Sequence, residues 1–167
     1  MEIVELSAAQ THDLRRVVLR DNDPTRSVVF AGDEDPLALH LGAIDRGEII
    51  AVSTWIPRSC PDLSANRPVQ LRGMATASSV RGSGVGGQLF EFGVERWAEL
   101  GYDLVWARAR DSALGFYTRH GCRVVGAGFV DEVTQLDHHI VVLQIVDRPG
   151  VARHPDLRHG NVRHSDR

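Results

Sequence analysis

The sequence predicts one α/β (α+β) domain built on a mixed β-sheet of six to seven strands flanked by about four helices. Three observations carry that prediction. Strand-like and helix-like runs succeed one another along residues 1–146 with only short polar connections. The tripeptide Asp45-Arg46-Gly47 separates two apolar, β-branched runs, which is a hairpin signal. From residue 69 onward the order becomes strand, helix, strand, helix, strand, strand, so strands of both directions share one sheet. At 167 residues, 43% apolar and 25% charged, the chain is long enough to bury a proper core.

Each element has its own justification. Residues 2–6 alternate as a short strand. Ser7 is placed to cap a helix over 8–20, with Leu14, Val17 and Val18 inside and Arg15, Arg16 and Arg20 outside. Residues 21–36 form a polar connection carrying Asp21, Asp23, Asp33, Glu34 and Asp35, with a short helix expected at Val28–Phe30. Strands at 37–44 and 48–56 flank the hairpin turn, and 57–68 is loop. Residues 69–76 form a strand in which Gly73 marks a bulge. A helix over 84–100 sets Leu89, Gly93, Trp97 and Leu100 on one face, with Phe92 and Trp97 expected in the core. A strand at 102–108 leads to a short helix at 111–120, capped by Asp111 and ended by Gly121. Strands at 122–129 and 139–146 complete the order.

Composition narrows the function. Net charge is −3, yet residues 148–167 carry five arginines against two aspartates. That segment repeats Arg-His every five residues, a period that fits neither helix nor strand. We therefore expect a domain over 1–147 and a flexible Arg/His-containing tail over 148–167, for which metal capture is the lesser reading. The domain has no basic stripe suited to nucleic acid. No apolar run approaches the roughly 20 residues of a membrane helix, and the first residues lack a signal-peptide pattern. Cys60 and Cys122 suit neither a disulfide framework nor a zinc site, which points to a reduced, cytoplasmic setting. Every one of the 19 basic residues is arginine, so no lysine can act as nucleophile or Schiff base.

The stretch Val80-Arg81-Gly82-Ser83-Gly84-Val85-Gly86-Gly87 carries the chemistry. A helix N-terminus presents unpaired N–H groups and the positive end of a dipole. Glycine lets backbone approach an anion closely, so the loop suits phosphate, and Arg81 adds a cation at its mouth. A P-loop would need a lysine that the chain lacks. Gly82, Gly84 and Gly87 match the spacing of a dinucleotide fingerprint, with Asp103 at the place of a ribose acid. Five residues, however, separate the loop from its strand, and no helices follow residue 122 to finish a doubly wound half.

Arg81, Gly84 and Gly86 also fit R/Q-x-x-G-x-G/A. Thirty residues on, Asp111-Ser-Ala-Leu-Gly-Phe-Tyr-Thr-Arg-His-Gly-Cys122 resembles the A-x-x-F-Y-x-x-x-G-F segment of the GNAT (GCN5-related N-acetyltransferase) superfamily. Ala113, Phe116, Tyr117 and Gly121 are in place, and Cys122 replaces the usual aromatic. Leu71-Arg-Gly-Met-Ala-Thr76 and Trp106-x-x-Ala-Arg110 are also similar to a subgroup of that family. The likeness is close over 69–126, and the order of elements extends it to 1–146.

The resemblance implies acetyl-CoA as acyl donor and direct transfer to a primary amine of a small molecule or peptide. Its diphosphate would lie on residues 82–87 (Gly82, Ser83, Gly84, Val85, Gly86, Gly87) with Arg81 nearby. The pantetheine arm would pair with the strand at 72–76, through Met74 and Thr76. An amide near Met74 or Ala75 would face the carbonyl oxygen that gains charge. Tyr117 stands where the family carries the acid that protonates the leaving thiolate. Many members place asparagine where Arg108 and Arg110 stand here, so an asparagine contact is not carried over. No general base is identified; Glu34, Asp35, His40, Glu48 and His138 are each conceivable. The acidic segment 21–35 lies where the family builds acceptor specificity and could draw a cationic amine. A homodimer remains open, as does an acyl-CoA-binding module without turnover.

Overall fold

A computed structural model describes residues 1–145; the segment 148–167 lies outside the described residues. Seven strands form one sheet in the order β1-β2-β3-β4-β5-β7-β6. They are β1 (Glu2–Leu6), β2 (Leu39–Asp45), β3 (Glu48–Pro57), β4 (Pro68–Thr76), β5 (Leu104–Arg110), β6 (Arg123–Val130) and β7 (Asp137–Gln144). Every neighbouring pair is antiparallel except β4 and β5. Among the described residues three α-helices accompany them: α1 (His12–Leu19), α2 (Val85–Glu99) and α3 (Leu114–Arg119), with 3-10 turns leading into α1 and α3.

Local signals explain most boundaries. Arg46 and Gly47 both take positive φ (50° and 83°), the two-residue turn that suits the twist of a β2–β3 hairpin. Ser7 and Gln10 bond reciprocally, Ser7 N–H to Gln10 Oε1 at 2.8 Å and Gln10 N–H to Ser7 Oγ at 3.4 Å, and so start the turn before α1. Gly121 (φ 83°) ends α3, with its N–H on Thr118 O and that of Cys122 on Tyr117 O. Asp111 does not cap α3; its carboxylate holds His139 Nδ1 at 2.7 Å instead. The helix expected at Val28–Phe30 does not form. Ser27 and Asp33 take the amides of Val29 and Phe30 with their side chains, which competes with helical bonding.

The sheet separates two layers. On one face α2 lays Leu89, Phe90, Val94 and Trp97 onto Trp55, Val69, Leu71 and Val105. Gly93 is what allows the approach, because a Cβ there would overlap the Trp55 indole. Phe92 and Leu100, expected inside, are 40% and 48% exposed. On the other face α1 packs Leu14 and Val18 against Leu6, Val52 and Ala75.

Helix α1 also overturns an expectation. Arg15 is fully buried, whereas Val17 is 57% exposed. The helix meets a polar patch here, not apolar sheet. Arg15 grips both oxygens of Asp33 (2.6 and 3.1 Å), Thr54 Oγ1 (2.6 Å) and Val28 O (3.0 Å), with its guanidinium 4.4 Å from the Phe30 ring centre. Burial alone would raise the Asp33 carboxyl, but hydrogen bonds from Arg15 and the Phe30 amide outweigh it and hold the carboxyl below its ordinary range. Its contribution to stability is therefore present above about pH 3.8 and is lost as pH falls further. Removing one partner leaves a buried charge uncompensated, so Asp33→Asn should cost about 3–5 kcal/mol in urea unfolding at pH 7. A loss below about 1 kcal/mol contradicts this account of the pair.

Candidate active site

The parallel pairing of β4 with β5 is short. It runs from Pro68↔Leu104 to Leu71↔Ala107 and stops. Strand β4 continues to Thr76 with β3 on one side, and β5 continues to Arg110 with β7 on its far side. From Arg72 to Thr76, β4 therefore presents an edge with no strand partner. The β3–β4 register also shifts here: Val52 faces Ala75 but Thr54 faces Arg72, so Gly73 and Met74 together oppose Ser53. That is the expected bulge, with Gly73 at φ 59°. It is sterically sealed, since a Cβ on Gly73 would come within 2.9 Å of Arg15 Nε and 3.0 Å of a Phe30 ring carbon.

The glycine loop lies beside this edge. A Cβ on Gly86 would stand 3.0 Å from Thr76 Oγ1, 3.6 Å from Met74 Cε and 3.7 Å from the Phe116 ring. The first turn of α2 thus sits directly on the end of β4, joining two sequence-predicted groups. Gly84 is the residue before α2, left-handed at φ 89°, with no side chain capping the helix. Gly82 is also left-handed at φ 83°, and the space where its side chain would stand is open. Among the described residues, the amides of Gly82, Gly84, Val85, Gly86 and Gly87 have no hydrogen-bond acceptor. Ser83 differs. Its N–H and its hydroxyl both turn back to Val80 O, at 3.2 and 2.6 Å. Arg81 is exposed and has no carboxylate partner among the described residues.

Gly87 is a packing position as well, since a Cβ there would collide with the His120 ring. Through Phe116 and His120, helix α3 is thereby locked onto the start of α2. Tyr117, on the same helix, is 8% exposed. Its ring lies edge-on to Phe90 and Phe116, with centroids 6.1 and 5.2 Å away. Desolvation, with the Cys122 thiol as a smaller cause, pushes the phenol well above its usual 10.0, so it keeps its proton throughout the physiological range.

The conceivable bases fare unevenly. His40 has both nitrogens occupied, Nδ1 with Thr54 Oγ1 (2.7 Å) and Nε2 with Asp33 O (3.0 Å). His138 stacks on Phe129 and bonds Leu136 O at 2.8 Å. Glu48 belongs to the β2–β3 turn. Glu34 and Asp35 are exposed, and Asp33 is committed to Arg15. A cleft lined by Ser64, Ala65, Asn66, Asp103, Leu104 and Gln144 lies at the opposite, N-terminal end of β5.

Comparison with known proteins gives this geometry its family. The model of the Acetyltransferase (GNAT) family matches residues 5–122. The chain belongs to the GNAT family. The GNAT match spans both the glycine loop and Tyr117. The "Uncharacterized N-acetyltransferase YitI" of Bacillus subtilis (strain 168) is 28% identical over 142 residues, which is 85% of this chain and 94% of the relative. Among solved structures, an aminoglycoside 6'-N-acetyltransferase complexed with coenzyme A has a TM-score of 0.69 at 16% identity, covering 89% of this chain and 99% of that one. A putative N-acetyltransferase from Lactobacillus plantarum reaches 0.72 at 18% identity, covering 87% and 98%. This GNAT protein is an acyltransferase acting on amino groups, with acetyl-CoA as donor. The G-x-G-x-x-G spacing belongs to a GNAT loop and not to a doubly wound nucleotide fold, since the sheet has a single parallel pair.

Sequence reasoning missed that three arginines lie on the α1 face of the notch. Arg72 donates to Ala31 O, Arg110 to Leu19 O at 3.3 Å, and Arg108 pairs with Asp131 at 3.5 Å. The signal was the arginine content of β4 and β5, which periodicity alone cannot bring together, because the pairing of those two strands is long-range.

Two outcomes test the site's physical description. Gly84→Ala forces a side chain into the left-handed region and should lower stability by about 1–2 kcal/mol in thermal unfolding, while weakening binding of CoA measured by calorimetry. Tyr117 resists ionisation when folded but not when unfolded, so stability should fall as pH rises above about 10.0. Tyr117→Phe should flatten that alkaline decline in denaturant titrations. An unchanged slope means the phenol is not desolvated.

Proposed function

We propose that residues 82–87 and the free edge of β4 form the acetyl-CoA site, and that this protein acetylates a primary amine of a small molecule or peptide in the cytoplasm. The observation that carries the reading is the set of amides at the mouth of α2 (Gly82, Gly84, Val85, Gly86, Gly87), without acceptors and beside an unpaired strand edge. Five donors and a helix dipole suit a diphosphate, and Arg81 adds a fixed charge. The role of Ser83 is to close the loop behind them. The edge at Met74, Ala75 and Thr76 suits an extended, peptide-like arm added as a strand would be. Residues 1–147 act as one catalytic domain.

When bound, acetyl-CoA supplies a thioester carbonyl. The acceptor nitrogen forms a bond to that carbon as the carbon–sulfur bond breaks; the amine loses one proton and the sulfur gains one. The bulge at Gly73–Met74 frees local backbone from the β3 ladder, and an amide at Met74 or Ala75 meets the oxygen that gains negative charge. Tyr117 keeps its proton among Phe90 and Phe116 and is the hydrogen-bond donor to the departing sulfur, which takes up a proton as it leaves. The amine's proton passes to water, consistent with the committed state of His40 and Asp33.

The test is thiol release from acetyl-CoA over a panel of primary amines, with the wild type against Tyr117→Phe and Arg81→Ala. Tyr117→Phe should lower kcat about 10²-fold with a small change in KM for acetyl-CoA. Arg81→Ala should raise that KM by roughly tenfold with little effect on kcat. Binding of acetyl-CoA without turnover of any amine would instead identify a binding module.

A further inference from the structure

The donor site leaves one face of the notch without an assigned role. Directly beyond the last paired rung, Leu71↔Ala107, stand Arg72 on β4 and Arg108 on β5. Residue alternation puts both on the α1 face, opposite the layer that holds Leu71, Ala107 and Ala109. Arg110 follows two residues on and reaches the carbonyl of Leu19 at the end of α1. Arg20 lies at the same helix end, over Phe30 at 5.0 Å from its ring centre. Arg15 and Arg72 share that ring, at 4.4 and 5.3 Å. Arg58 approaches from the end of β3, within 3.4 Å of Gln70 Oε1.

These six arginines are poorly compensated. Asp33 is consumed by Arg15, and Asp131 stands 3.5 Å from Arg108. Burial first, and then the neighbouring arginines, hold Arg20 and Arg72 below the ordinary arginine range. Arg15 and Arg72 each have a buried Nε with no hydrogen-bond acceptor. That of Arg15 abuts the Gly73 bulge. Gathered like charges cost stability, and an anion placed beside the partly exposed members, Arg72 and Arg110, relieves that cost. Planar guanidinium forks match a carboxylate in particular. The acidic segment 21–35, which the sequence offered as an attractor for a cationic amine, contributes only Asp33 here, and Arg15 neutralises it.

We propose that the acceptor is an amine that also carries a carboxylate, held on the α1 face of the notch by Arg72 and Arg110. The inference rests on the acetyl-transfer reading of the same site and names its substrate class. Phe30 lies under the guanidinium groups of Arg15, Arg20 and Arg72 and holds Arg72 at this face. The carboxylate anchors on this face, and the amine projects toward the free edge of β4.

The experiment uses the full chain saturated with CoA. Calorimetry compares glycine, phenylalanine, glutamine and glutamate with the primary amide of each. At least one free acid should bind about tenfold or more tightly than its amide, and the preference should shrink with added salt. Arg72→Gln and Arg110→Gln should each reduce that ratio toward one, whereas the surface variant Arg96→Gln should keep it. Circular dichroism identifies any variant that fails to fold, and the ratio is then read from the other. Equal binding across all pairs, tighter binding of the amides, or no binding overturns the proposal. Thiol release from acetyl-CoA with the same pairs separates the two readings. Selective binding of acids without thiol release sinks acetyl transfer and leaves the anion site standing. Amides turned over as well as acids sink the anion site and leave acetyl transfer standing.

Discussion

The parting of β4 from β5 after four rungs is the constraint on which the rest of the molecule turns. A parallel pair in a closed core would continue until one strand ended. Here both strands run on, each keeping only its outer neighbour. Backbone N–H and C=O groups of β4 are left to be satisfied by something other than the sheet. Two features keep the notch open. Strand β4 bulges at Gly73–Met74, which turns the strand. The next rung would also bring two arginines, Arg72 and Arg108, side by side, an unfavourable cross-strand pair.

Packing elsewhere converts that opening into a site. Gly93 lets α2 settle onto Trp55, and Gly86 and Gly87 let its first turn rest on Thr76 and His120. Because the helix is pinned at both its middle and its start, the acceptor-free amides of the loop are aimed at a fixed place beside the β4 edge. Preorganised donors of this kind need no rearrangement when charge arrives. Helix α3 is pinned in turn by Phe116 and His120 against α2, which sets Tyr117 in an apolar wall where it stays neutral.

The opposite face is governed by one buried cation. Arg15 ties α1, the 27–33 loop and β3 together through Asp33, Val28 and Thr54. Its position under the bulge also explains why Gly73 has no room for a side chain. The same arrangement collects Arg20 and Arg72 around Phe30, so a structural ion pair and the proposed anion site share one support.

By itself the sequence determined the local events. Glycines with the wrong φ for other residues, a two-residue hairpin turn and a Gly stop are fixed by backbone sterics and short-range bonds, and each is legible at its own position; the cap expected at Ser7 instead starts a 3-10 turn, and α1 begins at His12. The glycine loop was legible too, because a helix start with open amides and left-handed residues needs glycine, whereas the Phe116–Tyr117 segment was legible only through its resemblance to the family's motif. What only the tertiary structure decided involves partners far apart in the chain. Periodicity placed Arg15 in water, since it could not foresee Asp33 and Thr54, 18 and 39 residues away. It placed Phe92 and Leu100 inside, since it could not see where α2 leaves the sheet. It read Asp111 as a cap, when His139 from β7 claims that carboxylate. A side chain's partner across the fold is set by how layers close, and that depends on the sum of contacts over the whole chain.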